Sequence, residues 1–169
     1  MIAAVVLAAG AAERFGSPKQ RVLLGPVLDR VRASSVEEIV VVAGAHDVET
    51  EARLVHCPDW SRGPGASLRC GLDALPSEAE AAIVVLADGP DLAPQAIDRV
   101  IEAWQSGDGD VLAASYGGVR GHPVLLGRAS WASVPEEGAR GLDPLLVPCD
   151  DLGAPGDVDY PEDLPARFR

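Results

Sequence analysis

Lys19 closes a stretch, Leu7-Ala8-Ala9-Gly10-Ala11-Ala12-Glu13-Arg14-Phe15-Gly16-Ser17-Pro18-Lys19, built almost entirely from small residues apart from two cations. Small side chains let backbone N–H groups come close to a ligand, and consecutive N–H groups form an anion-binding concavity. Arg14 can fork two phosphate oxygens, and Lys19 adds a compact point charge. Of the 14 basic residues, 13 are arginine and Lys19 is the single lysine. That usage suits a position needing a mobile ammonium, although composition alone also allows chance survival. The stretch is neither a Walker A loop nor a G-x-G-x-x-G turn.

Four further segments carry groups suited to the same chemistry. Asp88, in Leu86-Ala87-Asp88-Gly89-Pro90-Asp91-Leu92, ends a strongly apolar run, as a ligand of a hard cation such as Mg²⁺ would. Asp91 reads as the cap of the next helix. Residues 58–72 pass from a Gly-rich loop containing Gly63 into a helix. There Ser67 either faces a base or sugar edge or belongs to an ordinary capped helix. Arg120-Gly121-His122-Pro123 places a histidine before a strand, either as a contact to a second anionic substrate or as a structural residue. Asp157-Val158-Asp159-Tyr160-Pro161-Glu162-Asp163 is acidic; helix-start electrostatics accounts for most of it, with Asp159 alone able to reach a metal.

The elements that must hold these groups alternate. Uninterrupted β-branched runs at 2–7, 38–43 and 82–87 read as buried parallel strands, with shorter strands at 54–56, 110–115 and 123–126. Helices are expected at 26–33, 46–53, 65–75, from Pro94 and from about Pro161. The best defined is the one carrying Ile97, Val100, Ile101 and Trp104 on one stripe. Gly117-Gly118 marks a tight hairpin turn. This order implies an α/β fold, a three-layer sandwich around a mostly parallel, Rossmann-like sheet, in a single domain of 169 residues. Such folds take ligands beyond the carboxyl ends of strands, which singles out the loops after Leu7 and Leu86.

Composition sets outer bounds. A net charge of −12 argues against nucleic-acid partners. No apolar run is long enough for a membrane span, and the apolar N-terminus lacks a positively charged leader segment, so a cytoplasmic protein is expected. Three cysteines without C-x-x-C spacing read as reduced thiols.

Taken together, the motifs resemble the MobA/MocA-type nucleotidyltransferase family, GT-A-like enzymes of molybdenum cofactor maturation. The resemblance covers nearly the whole chain. It rests on L-A-A-G-x-x-x-R-F-G-x-P-K at 7–19, W-x-x-G-x-x-x-S-L-x-x-G-L at 60–72, L-A-D-G-P at 86–90, R-G-H-P at 120–123, G-A-R at 138–140 and V-D-Y-P-E-D-L at 158–164. It implies that the backbone of Leu7, Ala8, Ala9 and Gly10, with Gly63 and Ser67, holds the nucleotide, and that Arg14 and Lys19 grip the triphosphate. Asp88 would hold Mg²⁺, with Asp159 as a second ligand, and Arg14, Lys19 and Asp88 would be the catalytic set.

Gly121, His122, Pro123 and Arg140 would face a phosphorylated pterin-type acceptor. Ala9 matches the cytidylyltransferase branch, so the implied reaction is CTP plus molybdenum-molybdopterin giving the cytosine dinucleotide and pyrophosphate, with handover of the product to a molybdoenzyme. The alternatives are guanylyl transfer, transfer to another phosphorylated metabolite, or nucleotide binding without turnover. Two departures stand out: a shortened segment between Lys19 and Glu38, and Pro135-Glu136-Glu137 where that branch carries Gly-Asp. Two acids beside a phosphorylated substrate are unfavourable unless they turn away or bind a cation.

Overall fold

The computed structural model describes residues 1–10 and 19–169. Seven strands form one sheet: β1 (Ile2–Ala8), β2 (Glu38–Ala43), β3 (Arg53–His56), β4 (Ala81–Leu86), β5 (Val111–Tyr116), β6 (Val119–Gly127) and β7 (Leu145–Pro148). Their spatial order is β3-β2-β1-β4-β6-β5-β7. The β3-β2-β1-β4 half is parallel throughout. β6 runs antiparallel to both β4 and β5, and β7 returns parallel to β5. Among the described residues three helices cover the sheet, α1 (Gln20–Arg32), α2 (Pro64–Asp73) and α3 (Pro94–Gln105).

Both faces of the central strands are buried, which is why these strands are unbroken apolar runs rather than alternating ones. In β1, Ala4 and Val6 join Leu24, Val27 and Val31 of α1 and Ile97 and Val100 of α3. Ala3 and Val5 face the other way, with Leu68 and Leu72 of α2. The result is the three-layer α/β sandwich with a mostly parallel sheet that the sequence implies. α2 lies close on its strands because Gly71 has no side chain: a Cβ there would sit 2.4 Å from Val5 Cγ1. The β5–β6 hairpin turns through Gly117 and Gly118, with φ of +61° and +78°, as a tight two-residue turn demands.

Several expectations are corrected. α1 begins at Gln20, not at 26. Leu23, Leu24, Val27, Leu28 and Val31 are all buried, and their spacing carries the helix through Pro26. No helix forms at 46–53; Val48 is the buried anchor there and no apolar stripe backs it. The last helix is replaced by short 3₁₀ turns at Pro161–Asp163 and Ala166–Phe168. β7 was not expected, since Leu145 and Leu146 are exposed at the sheet edge. Asp91 does not cap α3, whose N-cap is Ala93; its carboxylate accepts from Arg167 instead.

Cys57 and Cys70 are joined as a disulfide, with Cα atoms 5.9 Å apart, because the end of β3 lies against α2. This corrects the reading of reduced thiols for that pair; Cys149 remains free and buried. Among the described residues no helix is long and apolar enough to cross a membrane.

Candidate active site

The carboxyl ends of β1, β2 and β4 converge. The amide of Ala87 donates to the carbonyl of Leu7, and that of Ala45 donates to the carbonyl of Ala9, both at 3.1 Å. Ala8 and Ala9 are buried and Gly10 is exposed. The next residues, including Arg14, lie outside the described part of the chain. Lys19 re-enters it at the N-cap of α1, beside the end of β4.

Lys19 is the hinge of the site. Its ammonium donates to Asp88 Oδ2 at 2.8 Å and to the carbonyl of Val158 at 2.7 Å. Asp159 Oδ1 lies 3.7 Å away. The lysine side chain is only 13% exposed, so it is a packed group rather than a solvated surface charge. Asp88, Asp157 and Asp159 each offer a carboxylate oxygen, and these oxygens lie within 4.8 Å of one another. Partial desolvation first, and then the charges of Asp88 and Asp159, push the Asp157 carboxyl up, while Lys19 opposes them. Three oxygen donors at that spacing are a donor set for a hard divalent cation.

Asp157 and Asp159 are distant from Asp88 in sequence, and the C-terminal tail brings them in. The amide of Val158 donates to the carbonyl of Asp88, and that of Asp91 to the carbonyl of Pro155. Val158 and Leu164 bury themselves against Leu23 of α1, and Arg167 pairs with Asp91. A Cβ on Gly89 would meet Pro155 at 3.0 Å, so the glycine lets the strap lie close without Pro155 having to shift.

A cavity of about 790 Å³ opens beside the carboxylates, with Asp157 belonging to both. Its polar wall carries Tyr116, Arg120, Gly121, His122 and Arg140; Val85, Leu92 and Val124 supply apolar surface. Pro123 lies buried behind the wall, after a cis peptide bond from His122. Burial pulls the His122 imidazole down to about 4, with Asp88 opposing and Arg120 and Arg140 adding to the depression. At neutral pH it is therefore an uncharged hydrogen-bonding group.

The Tyr116 hydroxyl donates to the carbonyl of His122 at 2.7 Å, and burial raises its own pKa to about 12. A Cβ on Gly121 would lie 3.1 Å from the Tyr116 ring, so the glycine lets the tyrosine pack there. Arg120 is spent on structure: its two terminal nitrogens donate to the carbonyls of Leu142 and Ala139, at 2.7 and 2.8 Å. Those bonds flank Arg140, which is exposed and makes no ion pair with any described residue.

Gly63 and Ser67 stand apart from this cavity and do not line it. Gly63 precedes α2 with φ +124° and Ser67 is buried. The helix start is not open, because the amide of Gly65 donates to the carbonyl of Glu136 at 2.9 Å. Glu136 in turn accepts from Arg62 and Arg69. Glu136 is thereby paired with two arginines and does not line the cavity, which takes one of the two acids of Pro135-Glu136-Glu137 out of the conflict posed in the sequence.

Asp157 as a cluster member, Tyr116 and the Arg120 clamp were not identified from the sequence. Tyr116 sits across the Gly117-Gly118 turn from R-G-H-P, and that register was its available signal. Asp157 lies two residues before Asp159, and nothing local separates it from its acidic neighbours.

Residues 4–150 match the MobA-like NTP transferase domain. Among solved structures, Rv0371c from Mycobacterium tuberculosis H37Rv is 27% identical with a TM-score of 0.78, covering 96% of this chain and 94% of that one. Its complex with manganese aligns at 25% identity and a TM-score of 0.75, covering 96% and 95%. A homologue from Mycobacterium sp. strain JC1, at 24% identity and a TM-score of 0.79 over 96% of this chain and 92% of that one, shares the fold. The bifunctional protein GlmU of Cutibacterium acnes is 30% identical over 118 residues, which is 60% of this chain but only 28% of that protein's length. The extent of the family match, together with the converging strand ends and the acidic cluster around Lys19, makes this chain a member of the MobA-like NTP transferase family, a nucleotidyltransferase.

Proposed function

We propose that the protein transfers CMP from CTP to the terminal phosphate of molybdenum-molybdopterin, releasing pyrophosphate, in a reaction that requires Mg²⁺. The observation that carries this reading is the contiguity of two subsites: the Lys19–Asp88–Asp157–Asp159 cluster and a cavity walled by neutral His122 and by Arg140, which forms no ion pair with a described residue. An oxygen of the acceptor phosphate bonds to the α-phosphorus of CTP, and the bond from that phosphorus to the β-phosphate oxygen breaks. Pyrophosphate carries the electron pair away, with no covalent enzyme intermediate. Two anions meet, so the protein's task is alignment and charge neutralisation.

The carboxylates fit a hard cation: Asp88 and Asp159 would hold Mg²⁺, with Asp157 as an added oxygen donor. When bound, the ion supplies positive charge for the phosphate oxygens. That Rv0371c forms a complex with manganese supports a divalent cation as the metal of this reading. Lys19 and Arg14 add permanent cationic charge for the triphosphate. Arg140 receives the acceptor phosphate, and His122 donates an imidazole N–H to the acceptor. The backbone of Leu7 to Gly10 reads the base, and Ala9 favours cytosine.

The test is a thermal-shift panel of CTP, GTP, ATP and UTP, each with and without Mg²⁺, followed by pyrophosphate release with purified acceptor. A ligand at a hundredfold excess over its dissociation constant stabilises the fold by about 2.7 kcal/mol. The largest shift is expected for CTP with Mg²⁺. A larger shift with GTP reassigns the base, and no shift with any nucleotide overturns the reading.

A further inference from the structure

Resting on the metal site of that reading, we propose that Lys19 is the resident counter-cation of the Asp88/Asp157/Asp159 site, so that a divalent cation enters only as the ammonium leaves. The ammonium is held by Asp88 at 2.8 Å and the Val158 carbonyl at 2.7 Å, with Asp159 at 3.7 Å. These are two of the three carboxylates whose oxygens gather within 4.8 Å. The lysine therefore takes up part of the negative charge, and part of the space, that a metal ion would need.

A unit positive charge a few ångströms from a divalent ion, in a partly buried setting, opposes it by well over tenfold in affinity. Occupancy of the carboxylates by Lys19 and by a metal is thus mutually exclusive or strongly antagonistic. A triphosphate offers the ammonium a replacement partner of the same sign as the carboxylates it gives up. Lys19 then moves from carboxylate to phosphate as the metal takes its place. The consequence is order: the free protein holds divalent metal weakly, and nucleotide binding opens the site. Lys19 combines a single mobile ammonium with two hydrogen bonds to the site, and a planar guanidinium is poorly suited to such an exchange.

The experiment is a titration of the nucleotide-free protein with Mn²⁺, following the electron paramagnetic resonance signal of the free ion. Lys19→Met is expected to bind Mn²⁺ about tenfold or more tightly than the wild type. Adding Asp88→Asn to Lys19→Met is expected to abolish the gain. Lys19→Gln replaces the methionine variant should circular dichroism show that it does not fold. Unchanged or weaker Mn²⁺ binding in a folded, charge-removed variant overturns the exchange while leaving the metal reading intact. Failure of every protein to bind Mn²⁺, even with CTP present, overturns the metal reading itself.

Discussion

The two halves of the sheet position the site by different means. In the parallel half, β3-β2-β1-β4, buried strands set the places of Leu7 to Gly10 and of Asp88, with both faces packed by helices. In the antiparallel half and the tail, positions depend on side chains bound to backbone. Arg120 holds the carbonyls of Ala139 and Leu142, Tyr116 holds that of His122, and Arg69 holds that of Val134. The tail is pinned over Gly89 by a few amide bonds and one small apolar cluster. A backbone locked by strand burial resists local change, whereas a loop held by individual clamps can be altered one bond at a time. The proposed nucleotide side is thus tied to global stability and the proposed acceptor side to local contacts.

The largest effect should come from breaking the parallel half. Ile83 is fully buried in β4, and Ile83→Ala should lower stability by about 2–5 kcal/mol in urea denaturation. A loss below about 1 kcal/mol would break the proposed contrast. The antiparallel half should show its own signature with pH. Burial lowers His122 from 6.5 to about 4, so in this range the unfolded chain takes up the proton first. Its contribution to stability is complete above pH 6.5 and is lost as pH falls toward 4, by roughly 3 kcal/mol in all. His122→Asn should flatten the stability profile over that window relative to wild type, and an unchanged slope would contradict the assignment.

Catalysis sharpens the comparison where the halves meet. Lys19→Ala or Asp88→Ala should slow turnover by about 10²-fold or more, as for a lost electrostatic stabiliser, with the fold retained. Near-wild-type rates in both variants would remove these residues from the mechanism. A smaller effect is expected at the acceptor wall. Arg120→Ala should raise the acceptor KM about tenfold with little change in the KM for CTP, because Arg140 loses its flanking support, at a stability cost of about 1–2 kcal/mol. Arg120→Lys should recover part of the loss, and equal effects on both KM values would count against a role confined to the acceptor side.

The same contrast explains what the sequence disclosed. β1, β2 and β4 were legible because strands covered on both faces must be unbroken apolar runs, and the stripe of α3 was legible from its period. Lys19 and Asp88 were identifiable because strand ends mark where ligands bind, and the structure brings them to 2.8 Å. Asp157, the Arg120 clamp and the Cys57–Cys70 pair were not, since each depends on a contact between segments with no local period, while Tyr116 was missed although the hairpin register places it across the turn from R-G-H-P. β7 escaped because an edge strand with exposed Leu145 and Leu146 lacks the pattern of a buried one. Pro26 concealed the start of α1, since proline is read first as a helix opener.

A crystal of the protein soaked with CTP and Mn²⁺ tests the central assignment most directly. An anomalous peak is expected between Asp88 and Asp159, with the Lys19 ammonium withdrawn from Asp88 onto a phosphate oxygen. Manganese bound elsewhere, or a triphosphate seated away from a lysine still paired with Asp88, would contradict it.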